Sequence, residues 1–299
     1  CHSAEWCGCS KMTTLSGHAA QATTVVTAPP ITAQDVAVII VNFNGGEYLI
    51  RCLQALLELA EQPGEIIIVD NASEDGSAAA AVAQFPTIRL IDAGSNTGFA
   101  AANNIGIAAT DRPWIGLINP DAYVESGWMT AILSAANSNP GIHFFSAELI
   151  DAKDHSRLDG QGDCYHVSGL MWRRKHGQPV KGDPSRLPMF APCAASALYQ
   201  RAAVLEVGGF DEDYFCYIED IDLGFRLRLA GYDCLHVSAA IAYHEGSAIT
   251  ERESDFSIYH GHRNLVWTYF KNMPTKLLWL YLPQHMLMNL TTILYYTAK

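Results

Sequence analysis

Three acids fall within four positions in Glu219-Asp220-Ile221-Asp222, directly ahead of the helical run 223–231. A helix dipole favours carboxylates in a first turn, which explains acids there but not three together. Crowded carboxylates raise one another's proton affinity, and this suits one of them to act as a general base. Asp121, in Asn119-Pro120-Asp121, is the second candidate. A carboxylate at a strand end can hold Mg2+ or Mn2+ while phosphates and water complete the shell, although an acid after proline also suits an ordinary turn. The third is His244 in Ala242-Tyr243-His244-Glu245-Gly246-Ser247. A single imidazole is more often structural than a ligand, so alone it decides nothing.

These groups need a frame, and residues 36–120 supply an alternating one. Val36-Ala37-Val38-Ile39-Ile40-Val41 and Ile66-Ile67-Ile68-Val69 are short β-branched runs of the kind buried on both faces of a parallel sheet. Ile88-Arg89-Leu90-Ile91 and Ile115-Gly116-Leu117-Ile118 read as two more strands. Helices are expected near 48–57, 77–83 and 98–109, and such crossovers imply an α/β fold with a mainly parallel sheet flanked by helices. Ligands of these sheets bind outside the carboxyl ends of the strands. The residues there are Asn42-Phe43-Asn44-Gly45-Gly46, Asp70-Asn71-Ala72-Ser73, Asn96-Thr97-Gly98-Phe99 and Asn119-Pro120-Asp121. Each alone is a common turn or cap. Four in a row suit a polyhydroxylated or phosphorylated ligand. The spaced glycines of a dinucleotide fingerprint do not follow strand one, and no P-loop Gly-Lys-Ser/Thr occurs, which removes the dehydrogenase and NTPase readings.

Composition narrows the class further. Of 299 residues, 49% are hydrophobic and 17% charged, so bulk disorder is excluded. Nineteen basic residues against 31 acidic ones give a net charge of −12, which demotes nucleic acid as a partner. Cys52, Cys164, Cys193, Cys216 and Cys234 are scattered through apolar contexts and read as buried thiols of a cytoplasmic protein. Residues 1–33 are expected to be a disordered or added leader, since no zinc spacing and no signal-peptide pattern is present. Residues 277–296 are mostly apolar but broken by Pro283, Gln284, His285 and Asn289, with Lys271 and Lys276 ahead of them. That pattern favours an amphipathic or apolar helix lying on a membrane surface over one that spans it.

In order and spacing, these segments resemble the family 2 glycosyltransferases of the GT-A fold, in particular their rhamnosyltransferase-like bacterial branch. The runs that carry the likeness begin with Val38-Ile39-Ile40-Val41-Asn42-Phe43-Asn44, Val69-Asp70-Asn71-Ala72-Ser73, Asn96-Thr97-Gly98-Phe99-Ala100 and Leu117-Ile118-Asn119-Pro120-Asp121. Gly208-Gly209-Phe210-Asp211-Glu212, Glu219-Asp220-Ile221-Asp222-Leu223 with Arg226, and Tyr243-His244 follow. The resemblance implies an inverting transfer of a sugar from a nucleotide-diphosphate donor to a hydroxyl of a glycan or lipid-linked acceptor. It implies Asn42 and Asp70 in the nucleotide pocket, Asn96 and Gly98 beside the donor, Asp121 and His244 as ligands of Mg2+ or Mn2+, and Asp220 as the base. Asn119 stands where the family's Asp-x-Asp motif has its first acid, and a neutral amide weakens the hold on the cation.

Arg263, in His262-Arg263-Asn264, is expected near the diphosphate, with a surface position as the alternative. Residues 151–190, with Trp172-Arg173-Arg174-Lys175-His176 among them, show little periodicity and read as a lid. The expected organisation is a leader at 1–33, a catalytic domain at 34–272 and an apolar helix at 273–299 peripheral on the inner face of the plasma membrane. A homo-oligomer is left open. A nucleotidyltransferase and a non-catalytic nucleotide-sugar-binding subunit are the competing readings.

Overall fold

The computed structural model describes residues 29–181, 186–246 and 254–298. Most of the expected leader lies outside the described residues. In chain order the first half runs β1 (Val36–Asn42), α1 (Gly46–Leu57), β2 (Glu65–Asp70), α2 (Ser77–Gln84), β3 (Arg89–Asp92), α3 (Gly98–Ala108), β4 (Trp114–Ile118), β5 (Ala122–Val124) and α4 (Trp128–Ser138). Then come β6 (Phe144–Asp151), β7 (Leu158–Gly160), β8 (Asp163–Tyr165), β9 (Met171–Arg173), β10 (Arg186–Met189), β11 (Ser196–Gln200) and α5 (Arg201–Glu206). The chain ends with α6 (Glu219–Leu229), β12 (Cys234–His244), α7 (Asp255–Asn272) and α8 (Thr275–Ala298).

The main sheet is ordered β10-β12-β6-β11-β4-β1-β2-β3, with β5 added to β12 and β7 to β6. It is mainly parallel: β1, β2, β3, β4, β6 and β12 run one way, against β5, β7, β10 and β11. The unbroken apolar run of β1 follows from burial on both faces. Val36, Val38 and Ile40 pack in one core with Leu49, Cys52, Leu53 and Leu56 of α1 and Trp128 of α4. Ala37, Ile39 and Val41 pack in the other with α3, α5 and α6. Helix α1 buries positions 49, 52, 53 and 56, the i, i+3, i+4, i+7 stripe of a helix laid on a sheet.

Two expectations need correction. The segment read as an aperiodic lid contains β7, the β8–β9 ribbon and the edge strand β10. Strands of three or four residues are too short to show a period. Among the thiols, Cys52, Cys193 and Cys234 are buried, but Cys164 and Cys216 are half-buried, and Cys193 faces a guanidinium rather than apolar side chains.

Helix α8 carries Pro283 within it and leaves Trp279, Leu280, Met286, Leu287, Leu290, Ile293 and Leu294 exposed. No helix among the described residues is long and apolar enough to cross a membrane. Its buried side is pinned by His285, which stacks on Tyr269 of α7 at 3.8 Å and donates from Nδ1 to the Ser168 carbonyl at 2.8 Å.

Candidate active site

The carboxyl edge of the sheet begins with a knot of short polar side chains. Asn42 is fully buried at the end of β1, and its Nδ2 lies 2.8 Å from Asp70 Oδ1, 3.0 Å from Ser73 Oγ and 2.9 Å from Ser77 Oγ. Its Oδ1 accepts from the Gly45 N–H at 3.2 Å. Asn42 therefore ties the ends of β1 and β2 to the start of α2, and it orients the half-buried Asp70. One residue on, Asn71 accepts from the Thr97 N–H at 2.8 Å and donates to Asn96 Oδ1 at 2.9 Å. Asn96 Oδ1 also caps the Gly98 N–H at 3.0 Å. Gly98 has φ +82°, and a Cβ there would lie 2.5 Å from the Phe215 carbonyl, so only glycine lets the loop before α6 rest on the start of α3. The expected donor residues thus form two linked pairs, Asn42 with Asp70 and Asn96 with Gly98. Beside them opens a cavity of about 600 Å3 lined by Phe43, Asn44, Gly45, Gly46, Glu47, Tyr48 and Arg51.

Strand pairing brings Asp121 and His244 together across the length of the sequence. His244 ends β12 opposite Ala122 of β5, so the residue just before β5 stands beside the imidazole. Asp121 Oδ1 and His244 Nε2 are 3.4 Å apart. On the far side of the ring, His244 Nδ1 donates to Asp159 Oδ2 at 2.8 Å. Burial works against a charged imidazole, but the carboxylates of Asp121 and Asp159 outweigh it and hold the proton on up to about 9. Asp159 is itself held well below the usual carboxylate range. Burial pushes it up, but the His244 hydrogen bond and the Arg173 and His176 charges prevail.

The residues present fit a divalent ion. Two donor atoms at this separation match neighbouring ligands on a cation with bonds of about 2.0–2.6 Å. A carboxylate behind the imidazole is the usual support of a ligating histidine. Asn119 Oδ1 is buried with no hydrogen-bond partner among the described residues, an oxygen that a cation or a ligand's donor would satisfy.

Asp220 lies in the first turn of α6, where the Ala194 N–H donates to Oδ2 at 3.1 Å and its neighbour's Ile221 N–H to Oδ1 at 2.8 Å. Ligand atoms of Asp163, Cys193 and Asp220 all lie within 4.8 Å of one another. Burial pushes the Asp220 carboxyl up against the pull of the two N–H donors and Arg173. Burial and the nearby Asp220 charge push Asp163 up to about 8. Glu219 is also raised, by burial and then by Asp220, and its Oε2 has no hydrogen-bond partner among the described residues.

The third acid of the run has a different task. Asp222 is fully buried and faces away from this group, accepting from Asn272 Nδ2 at 2.7 Å, Arg226 Nε at 2.9 Å and Tyr214 Oη at 3.2 Å, with Lys271 Nζ at 2.9 Å. It fastens α6 to α7. Asp222→Ala leaves two cations facing a buried gap and is expected to cost about 3–5 kcal/mol of stability. Urea unfolding of the variant checks this. The same contacts tie Lys271 to Asp211 and Asp222, so of the two lysines ahead of residues 277–296 it is turned toward the protein.

Arg173 of β9 joins the Asp121–His244 pair to the acids around Asp220. One guanidinium nitrogen donates to Asp159 Oδ2 at 2.5 Å and the other to Cys193 Sγ at 3.1 Å. Gly160 makes room for it, since a Cβ there would sit 2.2 Å from Arg173 Cγ. Asp121, His244, Asp159, Arg173, Cys193, Asp163 and Asp220 thus form one continuous polar tract. Arg263 stands apart from it. It donates to the Tyr214 carbonyl at 2.8 Å, stacks over Trp267 at 4.3 Å, and with Asn264 secures the loop 213–217. Sequence reasoning passed over Asp159 and Asp163 and read Cys193 only as a buried thiol. The one available signal was Asp159-Gly160-Gln161-Gly162-Asp163, two acids four apart on glycine-spaced extended chain.

A mainly parallel sheet with amides and acids along its carboxyl edge, and an imidazole–carboxylate pair reached from a distant strand, defines the GT-A class of α/β fold. Solved structures share it. GalNAc-T7 with UDP, GalNAc and Mn2+ superposes with a TM-score of 0.61 at 15% identity over 78% of this chain and 47% of that one. The mannosyltransferase PcManGT from Pyrobaculum calidifontis, with GDP-Man and Mn2+, gives 0.57 at 17% identity over 79% and 63%. The profile of glycosyl transferase family 2 matches residues 37–208, and that of glycosyl transferase family group 2 matches residues 185–298. The chain belongs to glycosyl transferase family 2 and is a glycosyltransferase. It is 32% identical over 239 residues to the N-acetylglucosaminyl-diphospho-decaprenol L-rhamnosyltransferase of Mycobacterium tuberculosis, covering 72% of this chain and 78% of the relative. It is 28% identical to the rhamnosyltransferase WbbL of Escherichia coli K12, covering 69% and 82%. These relatives agree with the rhamnosyltransferase-like branch that the sequence resembles, and membership sets aside the nucleotidyltransferase reading.

Proposed function

We propose that this enzyme transfers a 6-deoxyhexosyl group, rhamnosyl by analogy with its relatives, from a nucleotide-diphosphate donor to a hydroxyl of a lipid-linked glycan, with inversion, in cell-surface polysaccharide synthesis. The observation that supports this most directly is the polar tract that runs from the Asp121–His244 pair to Asp220. It joins a pair that would hold a cation to a carboxylate that would act as the base. Asp70, held in place by the buried Asn42, with Asn96 and Gly98 further along the edge, would line the donor, and Asn119 would meet it beside Asp121. Arg263 would act by holding the loop ahead of α6.

Asp121 and His244 would hold a divalent ion, and the mixed oxygen–imidazole set favours Mn2+ over Mg2+. When bound, such an ion supplies positive charge to the leaving diphosphate. The protein's own part is to bring the acceptor hydroxyl in line with the anomeric carbon and to remove its proton. Asp220 takes that proton as the new C–O bond forms and the bond to the diphosphate breaks. Its two backbone N–H donors fix the carboxylate, and partial desolvation strengthens it as a base. Asp159 keeps the His244 ring turned so that Nε2 faces Asp121.

A panel of nucleotide sugars, screened by thermal shift with Mn2+, tests the reading. At a concentration near 100 times Kd the true donor is expected to raise Tm by about 5 °C, because it binds only the folded chain. Transfer from that donor to a lipid-linked acceptor is the matching readout. If no nucleotide sugar shifts Tm, the donor site is misread.

The domain reading is an enzymatic unit at 34–272 followed by the helix at 273–299, lying on the inner face of the plasma membrane. The exposed apolar side of α8 supports it, since burying that side in the interfacial layer removes it from water. The full chain is expected to co-float with phosphatidylglycerol vesicles, and replacing Leu280, Leu287 and Leu294 by Gln to abolish this. Flotation by the substituted chain would exclude α8 as the contact.

A further inference from the structure

We propose that Arg173 is a positioning residue serving both ends of the polar tract: one nitrogen holds Asp159 behind His244, while the other stands as counter-charge beside Cys193, Asp163 and Asp220. The inference rests on the reading of Asp220 as base and of Asp121 and His244 as cation ligands. The geometry is specific to a planar fork. The two nitrogens reach Asp159 Oδ2 at 2.5 Å and Cys193 Sγ at 3.1 Å, a span that one ammonium cannot cover. Its stem lies where a Cβ at position 160 would be, so the glycine and the arginine are matched. Asp159 is only 2% exposed, and its Oδ2 takes hydrogen bonds from both His244 and Arg173 while His176 Nδ1 stands 3.4 Å from Oδ1. Loss of the guanidinium removes one of the two donors on Oδ2 and loosens the carboxylate behind the imidazole.

Toward the base, the groups that face Asp220 among the described residues come from several elements. Asp163 comes from β8, Arg173 from β9, Cys193 and the Ala194 N–H from the segment before β11, Tyr199 from β11, and Glu219 and Cys216 from its own helix and the loop ahead. Arg173 is the cation acting on both Asp163 and Asp220. Without it, like charges and burial would favour the protonated base.

The test compares Arg173→Met and Arg173→Lys in the full chain, with the pH profile of kcat/KM and the Mn2+ concentration that gives half the maximal rise in Tm as readouts. Arg173→Met is expected to move the acid limb up by about 1–3 units and to raise the Mn2+ requirement about 10–100-fold. Arg173→Lys restores the charge but not the fork, so its acid limb should return toward wild type while its Mn2+ requirement stays high. A residue that merely supports the fold would lower turnover at all pH values and leave both readouts in place, and that result overturns the proposal. Should Arg173→Met fail to fold, the lysine variant decides: an unchanged Mn2+ requirement overturns it. Asp159→Asn is expected to raise the Mn2+ requirement and leave the acid limb alone; a shifted limb counts against the division of labour. Full-rate transfer by EDTA-treated wild type would overturn the underlying site reading as well, a failure distinct from unmoved Arg173 variants in a metal-dependent enzyme.

Discussion

Asp220→Asn is expected to lower sugar transfer by about 10²–10⁴-fold while leaving the donor's thermal shift intact. The amide keeps the size of the side chain and an oxygen for one of the two N–H groups, Ala194 on Oδ2 or Ile221 on Oδ1, at the loss of the other bond. It cannot accept the acceptor's proton. The pH profile carries a second signature. Burial raises the Asp220 pKa, more than its N–H donors and Arg173 lower it. A base works only when deprotonated, so wild-type activity rises with pH through a midpoint above the ordinary aspartate range. In Asp220→Asn the residual rate should lose that limb. Near-normal turnover in the variant would remove Asp220 from the role and pass it to Asp163 or Glu219.

Chelation, or Asp121→Ala, is expected to cost on the order of 10³ in rate, since a divalent ion on a leaving phosphate is worth several kcal/mol and each factor of ten is 1.36 kcal/mol. Added Mn2+ should restore the chelated enzyme but not Asp121→Ala. Asn119→Asp is the informative companion. A second carboxylate next to Asp121 adds charge to the site and should lower the Mn2+ needed for half-maximal rate. An enzyme that runs at full rate in EDTA would show that Asp121 and His244 serve the fold through their contact with Asp159, and nothing more.

The sheet was legible in the sequence because its strands are buried on both faces. Val36-Ala37-Val38-Ile39-Ile40-Val41 has no polar break, and α1 repeats its apolar residues at helical spacing. The strand-end polar residues followed from that frame. Asp121, Asp220 and His244 were legible as residue types at the starts and ends of elements, but their mutual placement was not. It depends on β12 lying beside β6 and pairing with β5, which no local pattern encodes. Asp159, Asp163 and Arg173 were hidden for a different reason. They sit on strands of three residues, where alternation has no length to show itself, and their burial comes from neighbours far along the chain. The inward turn of Asp222 was invisible because its partners Asn272 and Lys271 lie about 50 residues away on another helix.

The docking of β12 has a consequence for how the enzyme comes into being. Asp121 meets His244 only when β12 has entered the sheet between β6 and β10, and β12 follows every other described strand of that sheet in the chain. Pairings over such chain distances are slow to form, because the loop must be closed before the contact rewards it. The amino-terminal strands can assemble early, as neighbours in sequence as well as in space. The Asp121–His244 pair therefore forms after the amino-terminal strands, and a chain arrested before residue 244 would hold most of the sheet without that pair.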